Sequence, residues 1–134
     1  MEIKKYLKLM IEKNASDMFY RAGTNVRMRI DGEVVSADEK IISLDEVDEA
    51  VKELTSDELR DTFQRSLDVD FGLFFPDLGH RFRISIFMQR NSPSLVIRNI
   101  RSDIQTFEEL GLSGDVLKKL STERRGLVLL TGSA

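Results

Sequence analysis

The sequence predicts an α+β domain, an antiparallel sheet with helices packed on one of its faces. Three observations carry this. Between residues 67 and 100 three apolar runs alternate with polar residues and are separated by short turn-like segments, the pattern of a meander. Between residues 43 and 66 two helix-start signals are each followed by apolar residues at helical spacing. The length, 134 residues, suits a single domain that buries enough surface to fold without staples.

In chain order, Ile3, Tyr6, Leu7, Met10 and Ile11 fall on one face of a helix predicted over 2–13. Lysines at 4, 5, 8 and 13 interrupt any apolar run, which excludes a signal-peptide core. A lysine-rich amphipathic helix can lie on a membrane, but such a stripe ordinarily buries itself in its own core. Asp17 to Tyr20 reads as a short strand. Arg27–Ile30 and Glu33–Val35 flank Asp31-Gly32, a tight-hairpin signal because both central residues tolerate positive φ. Ser43 with Glu46 fits a capping box, followed by Val47, Val51 and Leu54. Thr55 with Glu58 fits a second, followed by Leu59 and Phe63, so helices are predicted at 44–53 and 56–66.

Leu67, Val69, Phe71, Leu73 and Phe75 then alternate, with Asp68 and Asp70 on the other side. Pro76-Asp77-Leu78-Gly79 turns the chain into a strand with Phe82, Ile84, Ile86 and Met88 on one face and Arg81, Arg83, Ser85 and Phe87 on the other. Asn91-Ser92-Pro93 turns again, and Leu95–Ile100 forms the third strand. Beyond it, Thr106 and Glu109 fit a third capping box, ended by Gly111, and Val116, Leu117 and Leu120 mark a helix near 114–121. Glu123-Arg124-Arg125 reads as a solvated hinge. Leu127–Leu130 is a continuous apolar run, the pattern of a parallel strand covered on both faces.

Composition narrows the function. Cysteine is absent and there is one histidine, which removes disulfides, thiol catalysis and His- or Cys-based metal clusters. It also suits a reducing cytoplasm. A net charge of -3 argues against a general nucleic-acid binder. The apolar run at 127–130 is far short of a bilayer span. Thr131-Gly132-Ser133-Ala134 follows that run as a phosphate-binding loop would begin, with Gly132 as the first glycine of G-x-x-x-x-G-K-[ST]. The ending is therefore expected to be a cut through a larger protein.

Several short signatures occur in one order: Leu9-Met10-Ile11-Glu12-Lys13 leading to Ala15-Ser16-Asp17-Met18; Arg29-Ile30-Asp31-Gly32-Glu33; Gly79-His80-Arg81-Phe82-Arg83-Ile84-Ser85; Phe87-Met88-Gln89-Arg90-Asn91; Phe107-Glu108-Glu109-Leu110-Gly111-Leu112; and Arg125-Gly126-Leu127-Val128-Leu129-Leu130-Thr131-Gly132. Together they resemble the N-terminal domain of type IV pilus retraction ATPases, the PilT/PilU family of the secretion-ATPase superfamily. Gln89-Arg90-Asn91 and Leu117-Lys118-Lys119-Leu120 are more similar to the PilU side.

The resemblance implies a PAS-like domain over 1–100, a linker with short helices over 101–123, and over 124–134 the first strand of a truncated RecA-like motor domain. It implies a cytoplasmic homohexamer at the inner face of the bacterial inner membrane. There ATP and Mg would drive twitching motility by pilus retraction, with the inner-membrane platform and a related retraction ATPase as partners. The Lys and Ser/Thr of the phosphate loop and the acidic motifs are absent, so no catalytic residue, metal ligand or ATPase activity is expected in the 134 residues themselves. Gly132, Ser133 and Ala134 would be the start of the Walker A loop.

By position, Arg83 and Arg98 are similar to family arginines that reach nucleotide phosphates, a role suited to an always-charged guanidinium. The plainer reading is a solvated sheet face, and Arg81 is left open between the two. Arg98 shares parity with Val96 and Ile100, which predicts that it emerges near a strand end. Asp68 and Asp70 read as a polar strand face paired with neighbouring arginines, and His80 as a surface turn residue. The competing function is a stand-alone PAS-like ligand or signal sensor, because fold alone does not separate the two.

Overall fold

The computed structural model describes residues 2–100 and 104–132. They fall into two compact units, Met1–Ser102 and Asp103–Ala134.

The first unit opens with helix α1 (Glu2–Glu12), whose Ile3, Tyr6, Leu7 and Met10 are buried. Strands β1 (Asp17–Arg21), β2 (Asn25–Ile30) and β3 (Glu33–Ile41) follow as an antiparallel meander. Asp31 and Gly32 make the tight turn at φ 49° and 85°. Helices α2 (Leu44–Leu54) and α3 (Asp57–Ser66) lead to a second meander of β4 (Asp68–Phe75), β5 (His80–Gln89) and β6 (Ser92–Ile100). The two meanders join through β1 and β6, giving one six-stranded antiparallel sheet in the order β3-β2-β1-β6-β5-β4.

One face of the sheet carries Met18, Tyr20, Val26, Met28, Phe82, Ile84, Ile86, Leu95 and Ile97, all buried. The helices supply Tyr6, Leu7, Met10, Val47, Val51 and Phe63 to the same core. The alternate residues of each strand point to the opposite face, which is where the charges lie.

Ser43 closes α2 as expected: its hydroxyl accepts from the Glu46 N–H, and the Glu46 carboxylate accepts from the Ser43 N–H at 2.8 Å. The second helix start is shifted by one residue. Ser56, not Thr55, caps α3, accepting from the Leu59 N–H. Thr55 still belongs to α2, with its N–H and its hydroxyl both donating to the Val51 carbonyl, at 3.1 and 2.6 Å. Leu67 does not begin a strand. It sits at φ 64° as the C-cap of α3, half exposed, and the alternation starts with Val69. β3 runs to Ile41 although Ser36–Lys40 is almost wholly polar. It is an edge strand bulged against β2, and an edge asks little apolar surface of its residues.

In the second unit, α4 (Gly114–Ser121) is an amphipathic helix with no buried residue. The Thr106/Glu109 box forms both of its hydrogen bonds, but the segment stays a turn that ends at Gly111, φ 66°. Residues 127–132 carry neither helix nor strand. A strand needs a ladder partner, and this unit contains none among its described residues. Gly132 closes the described stretch, while Ser133 and Ala134 lie outside it. No helix of the described residues is long and apolar enough to cross a membrane.

Candidate functional site

The sheet face turned away from the three helices holds six arginines: Arg21, Arg27, Arg29, Arg81, Arg83 and Arg98. Only three aspartates, Asp17, Asp68 and Asp70, share it along the same five strands. A chain with net charge -3 therefore carries a positive field on this face.

Register arranges the charges in a row. Arg29 on β2 lies opposite Asp17 on β1, Asp17 opposite Arg98 on β6, Arg98 opposite Arg83 on β5, and Arg83 opposite Gly72 on β4. The two predicted phosphate ligands are thus direct cross-strand partners. Arg98 lies two residues before the end of β6, as its parity predicted, and is the last residue of that strand in register with β1 while β5 flanks it on the other side. Like charges directly opposite one another repel, and each arginine is countered by its own carboxylate. The Arg83 Nε–H donates to Asp70 Oδ1 at 2.8 Å, and the Ser85 hydroxyl donates to Asp70 Oδ2 at 2.7 Å. The Arg98 Nε–H donates to Asp17 Oδ1 at 3.0 Å. Arg29 Nε lies 3.3 Å from Asp17 Oδ2, which also accepts from the Ser16 hydroxyl at 2.9 Å.

The two carboxylates differ in depth. The Asp17 side chain is 10% exposed and that of Asp70 45%, whereas Arg98 and Arg83 are 62% and 58% exposed. For Asp17, burial works to raise the pKa, but hydrogen bonds from Arg98 and Ser16 and the charges of Arg98 and Arg29 outweigh it and hold the carboxyl below its ordinary range. The Asp70 carboxyl is lowered chiefly by its hydrogen bond from Arg83, and Arg83 is raised in return.

Asp70, Arg83, Ser85, Val96 and Arg98 line a shallow cavity of about 240 Å³. Val96 also borders a neighbouring cavity of about 260 Å³ whose lining includes Phe19, Arg27 and Phe87. In both ion pairs the arginine engages its carboxylate through Nε, which leaves its two Nη groups out of the pair. Two guanidinium forks side by side on a concave surface can grip a multiply charged oxyanion such as a phosphate chain. No cluster of three or more His, Cys, Asp or Glu able to hold a metal occurs among the described residues.

Asp70 pairs with a neighbouring arginine, while Asp68 faces Phe87 across the β4–β5 ladder. His80 lies 3.3 Å from Asn99 through Nδ1 and Oδ1. Arg81, left open from the sequence, is on the face with Ile100 and Phe74 as its cross-strand neighbours. Asp17 and Arg29 were not singled out. Their parity on short strands was readable, but the contact of Asp17 with Arg98 spans 81 positions and depends on the β1–β6 pairing.

No protein-family model matches the chain. Among curated proteins it is 37% identical over 133 residues to the type IV pilus ATPase PilU of Pseudomonas aeruginosa, covering 99% of this chain and 34% of that protein. It is 34% identical over 132 residues to the type IV pilus retraction ATPase PilT of the same organism, covering 98% of this chain and 38% of that one. The fold matches a crystal structure of the pilus retraction motor PilT with bound ADP at a TM-score of 0.73 and 29% identity, over 85% of this chain and 33% of that one. The chain thus spans about a third of the length of these relatives. Its α+β unit with a six-stranded antiparallel sheet corresponds to the N-terminal domain of PilT. Along nearly its whole length, the chain is a homologue of the PilU and PilT type IV pilus ATPases.

Proposed function

We propose that the chain is the N-terminal, nucleotide-contacting part of a PilU-like ATPase that powers type IV pilus retraction. In this reading Arg83 and Arg98 reach the phosphates of ATP held by a RecA-like motor domain. The active particle is a hexamer at the cytoplasmic face of the inner membrane, working with the pilus platform and a related retraction ATPase. The observation that carries the reading is the cross-strand pairing of Arg83 with Arg98, each guanidinium more than half exposed and engaged by its carboxylate through Nε. Bound ATP with its Mg supplies the reacting phosphoryl group. The part of this chain is to set two positive forks where charge builds up on the phosphates.

The test uses the full-length motor. Arg83→Ala and Arg98→Ala are expected to lower ATP turnover by on the order of 10³–10⁵, the range for arginines that contact a transferring phosphoryl group. Folding stability should fall by no more than about 1 kcal/mol for Arg83→Ala, whose partner Asp70 is exposed, and by about 1–3 kcal/mol for Arg98→Ala, which leaves the buried Asp17 carboxylate to Arg29 and Ser16 alone. Wild-type turnover in both variants would remove them from the site. The 134-residue chain alone is expected to show no ATP hydrolysis above background. Turnover that tracks its concentration through successive columns would refute that part.

A further inference from the structure

The two arginines are held differently, and this bears on how a phosphate would be met. Asp17 lies at the floor of the face, directly between Arg29 and Arg98, with both Oδ atoms in use. The backbone around it is clamped: the Ser16 N–H donates to the Arg29 carbonyl at 2.9 Å, and the Asn99 N–H donates to the Ser16 carbonyl at 3.0 Å. So the β2–β1–β6 ladder fixes the backbone that carries the carboxylate, and Arg98, Arg29 and Ser16 hold its two oxygens. Asp70 sits instead on the outermost strand of its meander, nearly half exposed. Beside Arg83 the row ends on Gly72, which has no side chain and open space where one would stand. Arg83 is thus held by an exposed carboxylate, at 2.8 and 3.1 Å, with open space beside it, and Arg98 by a buried one at 3.0 Å.

We infer that Asp17 is a positioning residue: by binding the Nε edge of Arg98 from beneath, it fixes that guanidinium with its Nη pair available to a phosphate, while Arg83 closes on the ligand from its exposed pair with Asp70. The inference rests on the phosphate-contact reading above. Asp17 touches no phosphate in it and acts only through Arg98. Pre-fixing a flexible side chain strengthens binding by removing the ordering cost of that side chain, a factor of roughly three to ten. Charge alone has the opposite sign, since a carboxylate near an anion repels it.

That difference in sign makes the test. The 134-residue chain is titrated with inorganic triphosphate and followed by NMR of the backbone amides and arginine Nε–H groups. Asp17→Asn removes one negative charge, yet it is expected to weaken triphosphate binding roughly three- to tenfold. Arg98→Lys, which keeps the charge but has no Nε–H edge, should lose a similar factor, and the double variant should lose no more than either alone. Asp70→Asn should leave binding unchanged or tighten it.

Tighter binding by Asp17→Asn, with Arg98→Ala still weakening it, overturns the positioning role and leaves the phosphate reading standing. No binding by the unaltered chain, or binding indifferent to Arg83→Ala and Arg98→Ala, overturns the phosphate reading and this inference with it. If Asp17→Asn does not fold, the unaltered chain decides. Its Arg98 Nε–H is expected to be rigid and slow to exchange where that of Arg83 is mobile, and equal motion of the two overturns the role of Asp17.

Discussion

Tyr6 and Tyr20 stack edge to face in the core, ring centres 6.0 Å apart, and both are fully buried. Removing each hydroxyl should change stability with opposite sign. The Tyr6 hydroxyl donates to Asp38 Oδ2 at 2.7 Å. A hydrogen bond to a charged group contributes about 1.5–3 kcal/mol. Asp38 also accepts from the Lys40 N–H, lies 3.7 Å from Lys5 Nζ and is 29% exposed, so other donors and water replace part of the loss. Tyr6→Phe should therefore cost about 1 kcal/mol. The Tyr20 hydroxyl has no hydrogen-bond partner among the described residues. A buried polar group left unsatisfied carries a desolvation penalty of about 1–3 kcal/mol, and Tyr20→Phe relieves it at the expense of a void one oxygen in size. A net gain of about 0.5–1 kcal/mol is expected, so the two variants should differ by roughly 2 kcal/mol. Urea unfolding followed by circular dichroism measures this directly. In thermal unfolding each kcal/mol moves the midpoint by about 4–8 °C for a unit near 100 residues. Equal destabilisation by both variants would show that Tyr20 is satisfied and refute the reasoning.

The same tyrosines set an alkaline limit. Burial pushes Tyr20 up to about 12, and burial followed by the hydrogen bond to Asp38 raises Tyr6 further. Stability from keeping both neutral is complete below the unfolded value near 10 and is lost as pH rises through the folded values. Absorbance titration of the two tyrosines should show neither ionising before the fold is lost. At the acid end, Glu46 is pulled down to about 2 by its hydrogen bonds from Lys40 and then Ser43, and Asp17 is lowered as well. Their stabilisation holds above the ordinary carboxylate range and is lost as pH falls through the lowered values, so Glu46→Gln should flatten the acid limb of the stability curve. Ser43→Ala, which breaks the capping box, should cost about 1 kcal/mol in a urea titration. Ile84→Ala, at a fully buried site on β5, should cost about 2–5 kcal/mol.

The second meander was legible because its inner residues alternate cleanly: Phe82, Ile84 and Ile86 read as one face and are one face. The Asp31-Gly32 hairpin and the Ser43 cap were legible because single residue types dictate those geometries. Adjacent capping residues were ambiguous. Thr55 and Ser56 both suit an N-cap, and the choice went to Ser56 because the α2 backbone still reaches Thr55. The polar run of β3 had no apolar period to reveal it, since an edge strand is held by its ladder rather than by burial. For the site, local pattern could propose Arg83 and Arg98 but could not place them opposite each other. Still less could it bring Asp17 beneath Arg98, because pairings between distant strands leave no mark in a local window.

The sheet order β3-β2-β1-β6-β5-β4 makes β6 the keystone between two halves contiguous in the chain. Each half contains its own three-strand meander with turns of a few residues, so each can zip locally and fast. The β1–β6 ladder closes a loop of some eighty residues, so it is expected to form after the two local meanders. Arg98 hangs from that seam. A load applied to its guanidinium is shared through β6 with β1 on one side and β5 on the other, so force on the arginine-bearing face reaches both halves along hydrogen-bonded backbone instead of through side-chain packing.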